Sequence, residues 1–401
     1  MTATSKPARA RLIVLGAVVA VLAGVLGLHT LGGSSAQAAS TTSTLPAPTT
    51  STTAPHRAID DAESEVQAFV ERTRGLKFTQ PVKVTLLDDL TFKARLLGHT
   101  QPDKAQVDRT TGELRALGFV PPGFDLVKAT NDSAASSVVG FYDFKTKDLV
   151  VKGDRVSPYV KEVMAHELTH ALDDQHFGLS RPDIWAGNDE QGDSFTALSE
   201  GDAVRVQLAY YDAMSPADKA SADAEDGSYG VQQAGVQAPP ALGDFGLYPY
   251  VFGARFVNQV LKEKGQAALD AAFANPPVSS AQIIDADRFF TWMPGASAHI
   301  TPPAAPNGQT VIDHGTIGQF GLWVMLRQTM GDDLASLAAS TWEGDTYVAW
   351  HDGAKTCVKA RFLTESEPTA FPLAVLLKTW VDQQGGGTVE EPGTVLLTTC
   401  R

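Results

Sequence analysis

His166-Glu167-Leu168-Thr169-His170 is the stretch of this chain whose residue types and spacing point most directly to chemistry. On a helix, residues four apart are offset by about 40° and one turn of rise, so the two imidazoles converge on a single ion. Glu167 lies about 100° round from His166. There it can hold a water beside the ion without ligating it. Two histidines leave a catalytic site incomplete, because zinc takes three protein ligands and keeps one position open for water. His176 is a poor third ligand, lying about 120° further round and about 9 Å along the helix from His170. Glu200, in Leu198-Ser199-Glu200-Gly201-Asp202-Ala203, is the better candidate, and Gly201 is expected to let its helix come close to the histidine helix.

The histidine motif needs a helix, and the flanking residues supply its ends. Ser157 is a good N-cap, Pro158 suits the first helical position and Gly178 closes the C-terminus, which predicts a helix over 157–177. Met164, Leu168 and Leu172 fall on the side away from the histidines. Upstream, Val138–Phe144 and Leu149–Lys152 flank Lys145-Thr146-Lys147 and read as a β-hairpin. Further helices are expected at 59–73, 103–117, 194–214, 253–264, 317–330 and 368–383. Strands are expected at Val82–Leu87 and near 346–350, 357–362 and 394–399. Residues 215–247 are acidic, then rich in Gly, Gln and Pro, and read as a long loop or flap. Strands first and helices after suggest an α+β domain.

The chain has 401 residues, 43% of them hydrophobic, which suffices for a sizeable core. Its formal charge is −14, and Lys6, Arg9 and Arg11 are the only charged side chains before Arg57, so the body is more acidic still. A body of that sign repels phosphate backbones and argues against nucleic-acid partners. No G-x-S-x-G elbow and no phosphate-cradling glycine loop is present.

Residues 12–28, LIVLGAVVAVLAGVLGL, follow those three basic residues in the form of an export signal. Ala36 and Ala38 offer a cleavage site before Ala39, so residues 1–39 read as a signal peptide or as an uncleaved membrane anchor. Residues 40–58 are a Ser/Thr/Pro-rich linker, and 59–401 form the folded body outside the cytoplasm. In an exported chain with only Cys357 and Cys400, one disulfide stapling the C-terminus is the simplest reading, contributing about 4 kcal/mol on a chain-entropy argument.

HELTHALDDQHF at 166–177 with ALSEGDA at 197–203 resembles the gluzincin metallopeptidases. The hairpin VVGFYDFKTKDLVV resembles the gluzincin edge strand that pairs with an extended peptide. YPYVFGARFV at 248–257, NPPVSSAQII at 275–284 and STWEGDTYVAW at 340–350 resemble stretches of exported actinobacterial-type HExxH proteins. The resemblance implies a zincin-like domain with an N-terminal strand-containing part, a mainly helical C-terminal part and the metal site between. It implies one zinc per chain on His166, His170 and Glu200, with Glu167 as general base and a peptide or protein as substrate.

Thermolysin-like gluzincins place an Asp four residues after the ligand Glu to orient a histidine; here position 204 is Val, and Asp174 is the candidate for that support. The oxyanion donor is sought among Tyr248, Tyr250, Arg255, His299 and His314, with Tyr250 preferred. A second reading is a non-catalytic cell-envelope binding module that keeps a structural zinc. Structural sites usually saturate the metal with Cys or His, whereas the two thiols here are remote from the motif.

Overall fold

The computed structural model describes residues 53–97, 103–185, 189–233, 238–291, 300–364, 367–390 and 395–401. The apolar run at 12–28 and His299 lie outside the described residues, as does most of the Ser/Thr/Pro linker. Among the described residues no helix is long and apolar enough to cross a membrane.

The chain begins with helix α1 (Thr53–Arg74), strand β1 (Lys83–Leu87) and helices α2 (Asp89–Leu97), α3 (Lys104–Ala116) and α4 (Leu126–Ser137). A hairpin follows, β2 (Gly140–Tyr142) and β3 (Asp148–Lys152), and then the motif helix α5 (Pro158–Phe177). Helices α6 (Pro182–Trp185), α7 (Asp189–Ala213), α8 (Pro216–Gln233), α9 (Pro240–Lys264), α10 (Gln266–Ala274), α11 (Ser280–Ile284) and α12 (Ala286–Thr291) come next. The C-terminal third holds β4 (Val311–Gly315), α13 (Gly318–Met330), α14 (Asp332–Ser340), β5 (Trp342–Asp352), β6 (Lys355–Thr364), α15 (Glu367–Gln384), β7 (Gly387–Glu390) and β8 (Val395–Cys400). This is an α+β protein.

Two sheets organise it. The first has the order β1-β3-β2, with β1 parallel and β2 antiparallel to β3, so β2 is an edge. The second is antiparallel, in the order β4-β5-β6-β8-β7. The part of the chain beyond the motif helix is mainly helical, as expected, and this second sheet is added to it. In that sheet Val395–Cys400 alternates buried and half-buried positions, a period that is visible only over short runs.

Three expectations are corrected. Helix α1 begins at Thr53, so the end of the linker is helical. The described residues of 215–247 are largely helical rather than a long loop: α8 packs against α4 and α5, and α9 begins at Pro240. The alanines of α8 favour helix, yet over 216–228, the part whose side chains are described, Ala222 is the single buried position, which leaves almost no apolar period to read. Lastly, α5 has no separate histidine surface, because nearly every residue from Tyr159 to Asp174 is buried.

Two main apolar clusters meet at the motif helix. Met164, Leu168 and Leu172 on the back of α5 pack with α1 and the first sheet, and each buried side chain contributes about 2 kcal/mol. The larger cluster joins α9, α13, α15 and the second sheet. Helix α7 belongs to both, giving Phe195, Ala197 and Leu198 to the larger and Val206 and Tyr210 to the smaller. Glu200 lies between those two sets. Buried Arg74 ties the arrangement from behind, with Nε 3.0 Å from Asp173 on α5 and 2.5 Å from Asp202 on α7.

Candidate metal centre

Helix α5 is built as its caps suggest: Ser157 Oγ accepts from Val160 N, and Gly178 closes the helix at φ 67°, a conformation that favours glycine. The helix brings His166 and His170 to one face, and α7 lays Glu200 against them. His166 Nε2 is 3.1 Å from His170 Nε2 and 3.1 Å from Glu200 Oε2, and His170 Nε2 is 3.3 Å from Glu200 Oε2. An ion about 2.0–2.1 Å from each donor in a tetrahedral arrangement holds its donors about 3.3 Å apart. Two imidazoles and one carboxylate at that spacing fit zinc, with a fourth position left over. Burial works to raise the Glu200 carboxyl, but His170 and His166 outweigh it and hold it well below the usual carboxylate range.

Glu167 projects to the side of this triad, beneath β2. Burial pushes its carboxyl up to about 7; His166 opposes the shift, Glu200 adds to it, and a hydrogen bond from the Tyr142 N–H opposes it. Strand β2 comes this close because position 140 is glycine. A Cβ there would sit 2.6 Å from Val163 Cγ1 and 3.2 Å from Glu167 Cγ. Val139 and Asp143 pair with β3, so alternation turns the backbone groups of Gly140 and Tyr142 outward along the free edge.

Gly201 does not serve the contact expected of it. A Cβ at Gly201 would lie 2.3 Å from the backbone of Gly253, and one at Gly253 would lie 1.9 Å from the Ala197 carbonyl oxygen. The glycines therefore let α7 cross α9 backbone to backbone, and α9 in turn delivers Tyr250. That ring stacks on His166 at 6.3 Å and 21°, and its hydroxyl hydrogen-bonds Glu200. Burial, then the two carboxylates, raise its pKa well above that of a free phenol. Val204, where an Asp would support a histidine in thermolysin-like enzymes, packs against Tyr250 instead.

The other donor candidates are elsewhere. Tyr248 packs on Phe252 and Phe320, the Arg255 guanidinium stacks over Phe252, and His314 is exposed on β4. Asp174 does not support a histidine either. Its Oδ2 accepts from the Tyr142 hydroxyl at 3.0 Å and from Lys147 Nζ at 2.5 Å, and its Oδ1 accepts from Leu179 N at 3.0 Å. It pins the hairpin to the end of α5. Phe144, half-exposed beyond the hairpin's edge strand, stands edge-on to the His170 ring at 6.3 Å.

The side chains behind the imidazoles went unread in the sequence. His170 Nδ1 meets Ser199 Oγ at 3.2 Å, and His166 Nδ1 meets Gln207 Oε1 at 3.1 Å. Helical arithmetic offers a signal for one of them, since Gln207 lies two turns beyond Glu200 on the same face of α7. Cys357 and Cys400 form a disulfide between directly opposed residues of β6 and β8. The flanking Thr356 and Arg401 exchange both backbone hydrogen bonds, so the cysteines occupy the closer, non-hydrogen-bonded pair, with Cα atoms 4.0 Å apart. No family model, no curated protein and no solved structure matches this chain.

Proposed function

We propose that this protein is a zinc-dependent peptidase of zincin type, exported from the cytoplasm and either secreted or held to the membrane by its N-terminal segment. The observation that carries the proposal is the convergence of His166, His170 and Glu200, with Glu167 set between them and an unpaired strand edge. A purely structural zinc has no use for that glutamate or for the open strand.

His166, His170 and Glu200 would hold the ion. A zinc ion bound there supplies Lewis acidity, which acidifies a water and polarises a scissile carbonyl. The remaining roles fall to the chain. The outward backbone groups of Gly140 and the Tyr142 carbonyl take an extended peptide as an added strand, while the Tyr142 N–H is held by Glu167. Glu167 removes the attacking water's proton at its carboxylate and returns it to the departing amine, a role well served by a buried carboxyl adjoining the site. Tyr250, stacked on His166, holds Glu200 by its hydroxyl and helps to exclude water there. The disulfide and the basic, apolar leader both accord with an oxidising compartment.

The test uses the full chain, purified in mild detergent and incubated with an unbiased peptide library read by mass spectrometry. Cuts by the wild type that fall by about 100-fold or more in Glu167→Gln, with zinc retained, are the expected result. A Glu167→Gln variant that cuts as fast as the wild type, or a zinc-loaded wild type that cuts nothing, would remove the peptidase reading.

A further inference from the structure

The contact behind His166 does more than fill space. Gln207 Oε1 is 3.1 Å from His166 Nδ1, and Gln207 Nε2 donates to Glu162 Oε1 at 3.1 Å, all three side chains being buried. A carboxylate has acceptors only, so Glu162 takes the amino end of the Gln207 amide. That choice leaves the carbonyl end facing the imidazole, and a carbonyl can only accept. The proton of the neutral ring must then sit on Nδ1, and Nε2 presents a lone pair to Glu200 and His170.

We propose that Gln207, oriented by Glu162, is a positioning residue that fixes His166 in its Nδ1–H tautomer and so sets the metal affinity of the site. The proposal rests on the metal reading above. Glu162 lies one turn before His166 on α5, whereas Gln207 is on α7, so the same two hydrogen bonds also tie the helix of Glu200 to the helix of the histidines. The second histidine is treated differently. Ser199 Oγ can donate or accept, so nothing behind His170 dictates which nitrogen carries its proton. The site thus pairs one imidazole of fixed tautomer with one that adapts. The partner of the fixed ring is a neutral amide, which withholds the negative charge a carboxylate would add and leaves the metal more electrophilic.

The experiment measures zinc affinity by chelator competition on the full chain, together with the nitrogen-15 shifts of the His166 ring in the metal-free protein. Three variants are compared with the wild type: Gln207→Leu, Glu162→Gln, and the exchanged pair Glu162→Gln with Gln207→Glu. The wild type should show the Nδ1–H form. Gln207→Leu should bind zinc about 10–100-fold more weakly and show mixed tautomers. Glu162→Gln should loosen the preference, because either end of either amide then fits. The exchanged pair keeps an acceptor opposite Nδ1 and a donor behind it, so it should restore the Nδ1–H form and bind zinc at least as tightly as the wild type, the carboxylate adding its charge behind the ring. A rescue of that kind does not follow from packing alone.

Zinc affinity and ring shifts unchanged in Gln207→Leu, or an exchanged pair no better than Gln207→Leu, would overturn the proposal. A wild type that binds no zinc overturns the metal reading and this proposal with it, while the ring shifts still report whether the relay fixes the tautomer. Zinc bound equally by every variant overturns this proposal alone.

Discussion

At the scale of single residues, the site is three acceptors facing one another at 3.1–3.3 Å with a second carboxylate, Glu167, beside them. Bringing such groups together out of water costs free energy unless a cation or protons lie between them. Glu200→Ala removes the one ligand carrying negative charge, and zinc should then bind about 100-fold more weakly or worse, as measured by chelator competition. Unchanged affinity would mean that Glu200 is not a ligand. The histidine pair and Glu167 were legible in the sequence, because their geometry depends only on helical spacing. Glu200 was legible through its local sequence. Gln207 and Ser199 were not, because which side chains reach an imidazole depends on how α5 and α7 pack, and no local pattern encodes that. Asp174 illustrates the same limit: it points toward the hairpin, and Lys147 and Tyr142 claim it.

At the scale of elements, the hairpin is the piece most specific to the proposed reaction. Asp174 anchors it through two side chains and thereby fixes the height of β2 above Glu167. Asp174→Ala should raise KM on the order of tenfold with zinc affinity unchanged, because substrate alignment is lost and the ligands are not. Loss of zinc in that variant would instead place Asp174 among the metal's own supports. The crossing of α7 over α9 has no slack: a Cβ at Gly253 would meet a backbone carbonyl at 1.9 Å. Gly253→Ala should destabilise the fold by about 1–3 kcal/mol in denaturant unfolding and should weaken zinc as well, since α7 must shift. Elements with caps or strong turns, such as α5 and the hairpin, were readable from sequence. Helix α8 was not, because its described side chains are nearly all at the surface, and the second sheet's outer strands β4 and β7 are too short to show a period.

At the scale of the whole molecule, the centre lies where two apolar clusters meet, joined by α7 and by the buried Arg74 cluster. The C-terminal sheet is closed by the disulfide, and Cys357→Ser with Cys400→Ser should lower stability by about 2–4 kcal/mol. Cleavage chemistry should survive that change at temperatures where the protein stays folded. Asp345 gives the fold a pH dependence of its own. Buried beneath α13, it accepts from Ile317 N, Gly318 N and Trp342 Nε1, yet burial outweighs those bonds and pushes it up to about 6 from 3.8. The folded state then binds this proton more tightly than the unfolded state. Its contribution to stability therefore falls as pH rises from about 4 to about 6, by at most about 3 kcal/mol, and is level above that. Asp345→Asn should flatten this part of the stability profile measured by denaturant unfolding. An unchanged slope would show that Asp345 titrates alike in both states.

The central claim is that one ion on His166, His170 and Glu200 drives peptide cleavage through Glu167. Its most direct test is a zinc titration of the chelator-stripped full chain, read as the rate of peptide cleavage. The rate should rise in proportion to added zinc, level off at one equivalent per chain, and stay flat at baseline throughout in Glu167→Gln. A rate that ignores zinc, or one zinc bound with no cleavage at any occupancy, would contradict it.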